Sequence, residues 1–134
     1  QGYSSAASDV YKRQGTGNER RALIYALHNF EALGLTGGIL HVNGKIVAFT
    51  FGMPINHETF GVHVEKADTN IDGAYAMINN EFANHIPEQY IYINREEDLG
   101  LEGLRKAKLS YQPVTILEKY MACLKDHPMD IIRW

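Results

Sequence analysis

Two stretches of this chain hold most of the side chains that could do chemistry. His63 and Glu65 stand two residues apart in Thr59–Ala67, a run whose β-branched and aromatic content reads as a strand. A carboxylate there fits a general base that deprotonates an attacking amine or hydroxyl, a role that needs a pKa near the working pH. Its plainer reading is a salt bridge from Glu65 to a lysine, with His63 packed on a helix. The second stretch is Asn94, Arg95, Glu96, Glu97 and Asp98, at the carboxyl end of a strand that begins at Tyr90. Ligands of α/β folds collect beyond the carboxyl ends of strands, and acids at that place suit an α-amino group of an amino-acid donor. Glu97 and Asp98 also suit the positive end of the helix that follows. Arg105 and Lys108 lie three apart on that helix and share a face, where they could hold phosphate of a nucleotide or of a tRNA backbone. A solvated helix face is the alternative. Tyr111 closes the helix, where a tyrosine often anchors the core with a wet hydroxyl.

The elements that must position these groups follow from periodicity and turn chemistry. Asn18–Leu33 carries Leu23, Ala26, Leu27 and Phe30 at helical spacing, and Gly34 follows as a C′ residue. Gly38–Val42 and Lys45–Phe51 flank Asn43-Gly44, whose two positive φ angles make a type I′ hairpin. A connection at Gly52–His57 leads to the third strand, where Phe60, Val62 and Val64 alternate with Gly61, His63 and Glu65. Strict alternation puts His63 and Glu65 on one face. A helix at 71–86 presents Ile71, Ala74, Tyr75, Ile78 and Phe82, capped by Thr69 or Asn70 and stopped by Pro87. A buried strand from Tyr90 to Asn94, a helix at 101–110 stopped by Pro113, and a last strand from Val114 to about Cys123 complete the order α-β-β-β-α-β-α-β. This predicts an α/β (α+β) domain with a mixed sheet covered by helices.

Composition narrows the function classes. The 134 residues carry a net charge of −3, with 22% charged and 45% hydrophobic residues, as in an ordinary globular domain. That balance argues against a surface that coats nucleic acid, while leaving room for a local basic patch. One cysteine, Cys123, forbids an intrachain disulfide and suits a reducing, cytoplasmic setting. No apolar run spans a bilayer. The six histidines show no metal-ligand spacing, so no metal is expected. Asp9-Val-Tyr-Lys-Arg-Gln14, preceded by Ser4–Ser8, looks like a translated sequencing adaptor. Residues 1–14 are therefore set aside, and 15–134 are read as one domain of a longer bacterial protein.

Several motifs together carry a family resemblance: Gly37–Phe49, His63–Ala67, Asp72–Tyr75, Ile93–Gly100 and Gly103–Tyr111. As a set they resemble the phosphatidylglycerol lysyltransferase C-terminal domain family, which has the GNAT (acyl-CoA N-acyltransferase) fold. The resemblance spans Leu33 to Tyr120. It implies a GNAT-like, mostly antiparallel sheet flanked by helices, here lacking the first strand and helix. It also implies a second half whose N-terminal partner half lies upstream. The activity implied is acyl or aminoacyl transfer from a donor such as aminoacyl-tRNA to a small-molecule or lipid-headgroup acceptor. Tyr111 then falls where many GNAT enzymes keep a tyrosine that reprotonates the leaving group. One departure bears on the donor. GNAT acetyltransferases hold the coenzyme A pyrophosphate on a glycine-rich loop of bare backbone N–H groups after the third strand. The corresponding Lys66–Ala74 has one glycine and two acids, Asp68 and Asp72, which repel a pyrophosphate. This argues against acetyl-CoA as cofactor, and supports as alternative a non-catalytic module that binds an amino acid, a nucleotide or its partner half.

Overall fold

The computed structural model describes residues 16–120, 122 and 125. Helix α1 (Thr16–His28) leads through further turns to Gly34, where the chain leaves in a Schellman arrangement. Gly34 has φ 66°, Leu35 N–H bonds Phe30 C=O at 3.0 Å and Gly34 N–H bonds Glu31 C=O at 2.9 Å. Strands β1 (Thr36–Val42) and β2 (Lys45–Pro54) form the expected hairpin, with Asn43 at φ 51° and Gly44 at φ 76°. Strand β3 (Thr59–Ala67) pairs antiparallel with β2. Helix α2 (Ala74–His85) crosses back, and β4 (Tyr92–Asn94) joins β3 in parallel before α3 (Glu102–Leu109). Sheet order is β1-β2-β3-β4, a mixed and mostly antiparallel sheet with helices against it. The adaptor-like residues 1–14 and Cys123 lie outside the described residues.

One face of the sheet packs on α2. Ala48 and Ala67 meet Ala74 and Ile78, while Phe60 and Val62 meet Phe82 and Ile86. Small residues at one end of the stripe and aromatic ones at the other let the helix lie close at its start. The rings of Phe60 and Phe82 meet edge-on at 5.9 Å, and Tyr90 joins them at 5.6 Å from Phe60. Here α2 departs from expectation at its start. It begins at Ala74 with Gly73 as N-cap at φ 77° and no side-chain cap, so neither Thr69 nor Asn70 caps it. Asp68 Oδ1 instead takes the Asn70 N–H at 2.9 Å, turning the chain before the helix.

The largest correction concerns β3. Phe51 pairs with Val64 but Gly52 pairs with Val62, so His63 is an extra residue bulged out of the ladder. The bulge reverses the alternation. Phe60 and Val62 face α2 before it, and Ala67 faces α2 after it, although their positions differ in parity. His63 and Glu65 therefore do not share a face: Glu65 sits on the α2 side, with Ala67. Gly52 makes this crossing possible, since a Cβ there would stand 1.9 Å from the Gly61 carbonyl oxygen.

Two further expectations fail at the far end of the sheet. The strand ending at Asn94 is three residues long and half-exposed rather than buried. The chain at 114–120 forms no strand, and its apolar side chains face solvent. Among the described residues β4 therefore has no strand neighbour on its outer side, which leaves its residues exposed.

Candidate active site

Strands β3 and β4 pair only through Thr59–Tyr92, Phe60–Ile93 and Gly61–Asn94. Beyond Gly61 the two strands part, and β3 runs on to Ala67 without pairing to β4. A cleft of about 1060 Å3 opens at this parting, with α1 and α3 among its walls. Its walls are mainly apolar, with Ala22 and Ala26 from α1, Phe51 and Met53 from β2, and Leu104 and Ala107 from α3. Its polar end holds His63, Glu65, Arg95, Glu96, Lys108 and Tyr111. The structure thus brings the two chemical stretches of the sequence together at one site.

Arg95 is the hub. Its Nη2 donates to Glu65 Oε1 at 2.7 Å and its Nη1 to Asn79 Oδ1 on α2 at 2.8 Å. Its guanidinium lies over the Tyr111 ring, 5.0 Å from the centroid. One arginine after β4 therefore ties together β3, α2 and the end of α3. Glu65 is nearly enclosed, with 11% of its side chain exposed, and its Oε2 has no hydrogen-bond partner among the described residues. Burial pushes the Glu65 carboxyl above its ordinary range, outweighing the charge and hydrogen bond of Arg95 and the charge of Lys108. A carboxylate with one free oxygen and an elevated pKa has the properties of a proton acceptor.

Lys108 turns inward. Its Nζ donates to the carbonyl oxygens of Arg95 and, at 2.7 Å, of Glu97. Burial lowers its pKa, the charge of Arg95 adds to this, and Glu96, Asp98 and Glu65 oppose it. The lysine is spent holding the loop after β4, which turns through positive φ at Glu96, Leu99 and Gly100. Asn94 Oδ1 accepts the Glu96 N–H at 2.8 Å and Asp98 Oδ1 accepts the Gly100 N–H at 2.8 Å, as turn-forming side chains do. Arg105 Nε pairs with Asp98 Oδ2 at 2.5 Å on an exposed surface. That contact and the Gly100 N–H hold the Asp98 carboxyl below its usual value, and Asp98 raises Arg105 in turn. Arg105 and Lys108 are consequently not a joint pair: one faces solvent beside an acid, the other caps backbone.

The remaining acids are divided by partner. Glu96 meets His63 Nδ1 across the mouth of the cleft, and Glu97 Oε1 takes Lys119 Nζ at 2.7 Å. Asn94, Asp98 and Arg105 stand outside the cleft wall, whereas Glu96 and Glu97 belong to it. Sequence reasoning passed over Asn79. It lies four residues after Tyr75, continuing the inward stripe of α2 with a polar group, and that spacing was the available signal. Among the described residues no three His, Cys, Asp or Glu side chains group as a metal site. No described helix is long and apolar enough to cross a membrane.

A parted pair of parallel strands, entered from a hairpin sheet and flanked by helices, is a GNAT-like fold. Ribosomal-protein-alanine N-acetyltransferase from Brucella melitensis biovar Abortus 2308 has a similar fold, with TM-score 0.58 and 15% identity over 75% of this chain and 79% of its own. The chain belongs to the phosphatidylglycerol lysyltransferase C-terminal family, which it matches over residues 5–123. It is also 90% identical to a conserved protein of unknown function from Bacteroides thetaiotaomicron VPI-5482, whose crystal structure superposes with TM-score 0.83. That match covers 89% of this chain and 40% of the other, so the chain spans about two-fifths of that polypeptide. No curated protein matches the sequence.

Proposed function

We propose that this domain transfers an acyl or aminoacyl group, with Glu65 as general base. The observation that carries the reading is Glu65 itself, enclosed where β3 parts from β4 with one carboxylate oxygen unengaged. A nucleophilic amine or hydroxyl entering the cleft would give its proton to Glu65 Oε2 and attack the donor carbonyl. Backbone N–H groups of β3 where it has parted from β4 would receive the developing oxyanion. Collapse would expel the thiolate or ribose oxygen of the donor, which would take a proton from Tyr111. Arg95 would keep both Glu65 and Tyr111 in position. His63 and Glu96, at the cleft mouth, would contact the incoming substrate.

For the donor we favour aminoacyl-tRNA over acetyl-CoA. The β3–α2 loop turns on Asp68, and Asp72 stands exposed at the start of α2, where coenzyme A would need its pyrophosphate held. The acceptor would be a small molecule or lipid headgroup, met on the cytoplasmic side by a protein that includes an N-terminal half. The Asn94–Asp98 acids would then act through Glu96 and Glu97, since Asn94 and Asp98 are engaged in local turns. A non-catalytic binding module is the second reading. It draws on the pairing of every charged side chain from Arg95 to Asp98 within the domain.

The test is single-turnover transfer by the complete polypeptide, using charged tRNA and mixed lipid or amine acceptors, for wild type and Glu65→Gln. Loss of a general base costs about 100-fold or more in rate. A Glu65→Gln rate within threefold of wild type removes Glu65 from the chemistry. Binding of charged tRNA with no transfer by either protein selects the binding module.

A further inference from the structure

We infer that the acceptor taken by this cleft is a small amine or alcohol joined directly to an apolar body, with no anionic group beside its reacting end. This rests on the reading of Glu65 as the group that receives the acceptor's proton. Large apolar side chains line the cleft and stay open to solvent: Leu99 is 48% exposed, Leu33 43% and Met53 38%. Ligand pockets are mainly apolar, with a few polar groups that fix orientation, and apolar side chains left open in a concavity gain by being covered. The helices that wall the cleft leave room for that cover. Helix α1 presents Ala22 and Ala26, one turn apart, and α3 presents Gly103 and Ala107 at the same spacing. A Cβ at Gly103 would meet nothing within 4 Å.

The charges around the cleft decide what the reacting end can be. His63 meets Glu96, Glu97 takes Lys119 at 2.7 Å, and Glu19 of α1 takes Lys66 at 2.5 Å. Lys108 gives its ammonium to the Arg95 and Glu97 carbonyls. Arg95 is committed through both Nη atoms, to Glu65 and to Asn79. A phosphate or carboxylate beside Glu65 would have to break one of these pairings or lie unneutralised against a carboxylate, which is costly away from water. Glu65 Oε2, by contrast, has no hydrogen-bond partner among the described residues, and an ionised carboxylate only accepts. A donor satisfies it, either an amine or a hydroxyl. An acceptor with a phosphate a few bonds from its hydroxyl, as in a phospholipid headgroup, fits these charges poorly. An alkyl or aryl amine fits both the head and the walls.

Calorimetric titration of the complete polypeptide with n-butylamine, n-hexylamine and n-octylamine tests this, with octanoate and phosphoethanolamine as anionic probes. Affinity should rise about fourfold for each added methylene that enters the cleft. Octanoate should bind at least tenfold more weakly than octylamine, and phosphoethanolamine should give no saturable heat. Gly103→Leu grows into open space and replaces glycine by a better helix former. It should leave Tm unlowered and weaken octylamine binding at least tenfold. No saturable amine binding, affinity that ignores chain length, an anionic probe that binds as tightly as octylamine, or octylamine binding unchanged in Gly103→Leu would each overturn the inference. A lowered Tm in Gly103→Leu would show the cleft wall already covered by another part of the polypeptide, and overturns it as well. These readouts are of binding alone and stand apart from the transfer rate of Glu65→Gln. A rate near wild type in that variant removes Glu65 as base, whereas the chain-length series decides the acceptor class.

Discussion

Replacing Arg95 by methionine keeps most of the side-chain length and leaves Glu65 without its cation. The Glu65–Arg95 contact is 2.7 Å, with the two side chains 11% and 23% exposed. At an effective dielectric of about 20 the gross attraction is roughly 6 kcal/mol, much of it offset by the desolvation of both groups. The penalty for the stranded carboxylate is limited, because Glu65 can take up a proton instead. For a carboxyl with an ordinary pKa of 4.5, neutralisation at pH 7 costs about 3.4 kcal/mol. Loss of the Asn79 hydrogen bond and the Tyr111 contact adds about 1 kcal/mol each, and the methionine's own packing recovers part of this. The expected destabilisation is about 3–4 kcal/mol at pH 7. The sign of its pH dependence follows from the direction of the shift. The folded pKa of Glu65 is already raised, and without Arg95 it rises further. The folded state then holds the extra proton, so stability is present below pH 4.5 and lost as pH rises through the folded pKa. Urea unfolding of Arg95→Met should thus show a penalty of only about 1–2 kcal/mol near the acid end. A cycle with Glu65→Gln should give a coupling of about 2 kcal/mol. A penalty equal at both pH values, with coupling below about 0.5 kcal/mol, would refute the picture of a desolvated pair.

Three further outcomes are expected. Lys108→Met, which frees the Arg95 and Glu97 carbonyls, should cost about 2 kcal/mol by chemical unfolding at pH 7. Because the folded pKa of Lys108 is lowered, wild-type stability should rise with pH from that value up to 10.5, and the variant should lose this slope in a pH series of melting curves. Gly52→Ala drives a methyl to 1.9 Å from the Gly61 carbonyl, so the β2–β3 crossing must shift, with a loss of about 3 kcal/mol or more seen in a lowered Tm. Acetyl-CoA should give no saturable heat at micromolar concentration in calorimetry, since Asp68 and Asp72 stand in the β3–α2 loop; tight binding would restore an ordinary acetyltransferase.

Local chemistry in the sequence determined several elements outright. Asn43-Gly44 dictates the hairpin, Gly34 ends the first helical segment, and the spacing of Ala74, Ile78 and Phe82 gives the buried face of α2. These rest on interactions among near neighbours, and the motif set adds the family and its fold. What only the tertiary structure decided was which charge meets which. The bulge at His63 arises where β2 and β3 approach within the reach of a single methyl at Gly52, and it moves Glu65 to the other face of its strand. Alternation by twos cannot reveal such an inserted residue, because the register belongs to two strands together. The Asn94–Asp98 run likewise reads as one acidic cluster, yet its members go to His63, Glu65, Lys119, Arg105 and local backbone. Lys108 resembles a surface cation until the loop after β4 turns its carbonyls toward it. Composition states which charges exist, but the energy of each depends on a distance and on burial, and both come from packing across the fold.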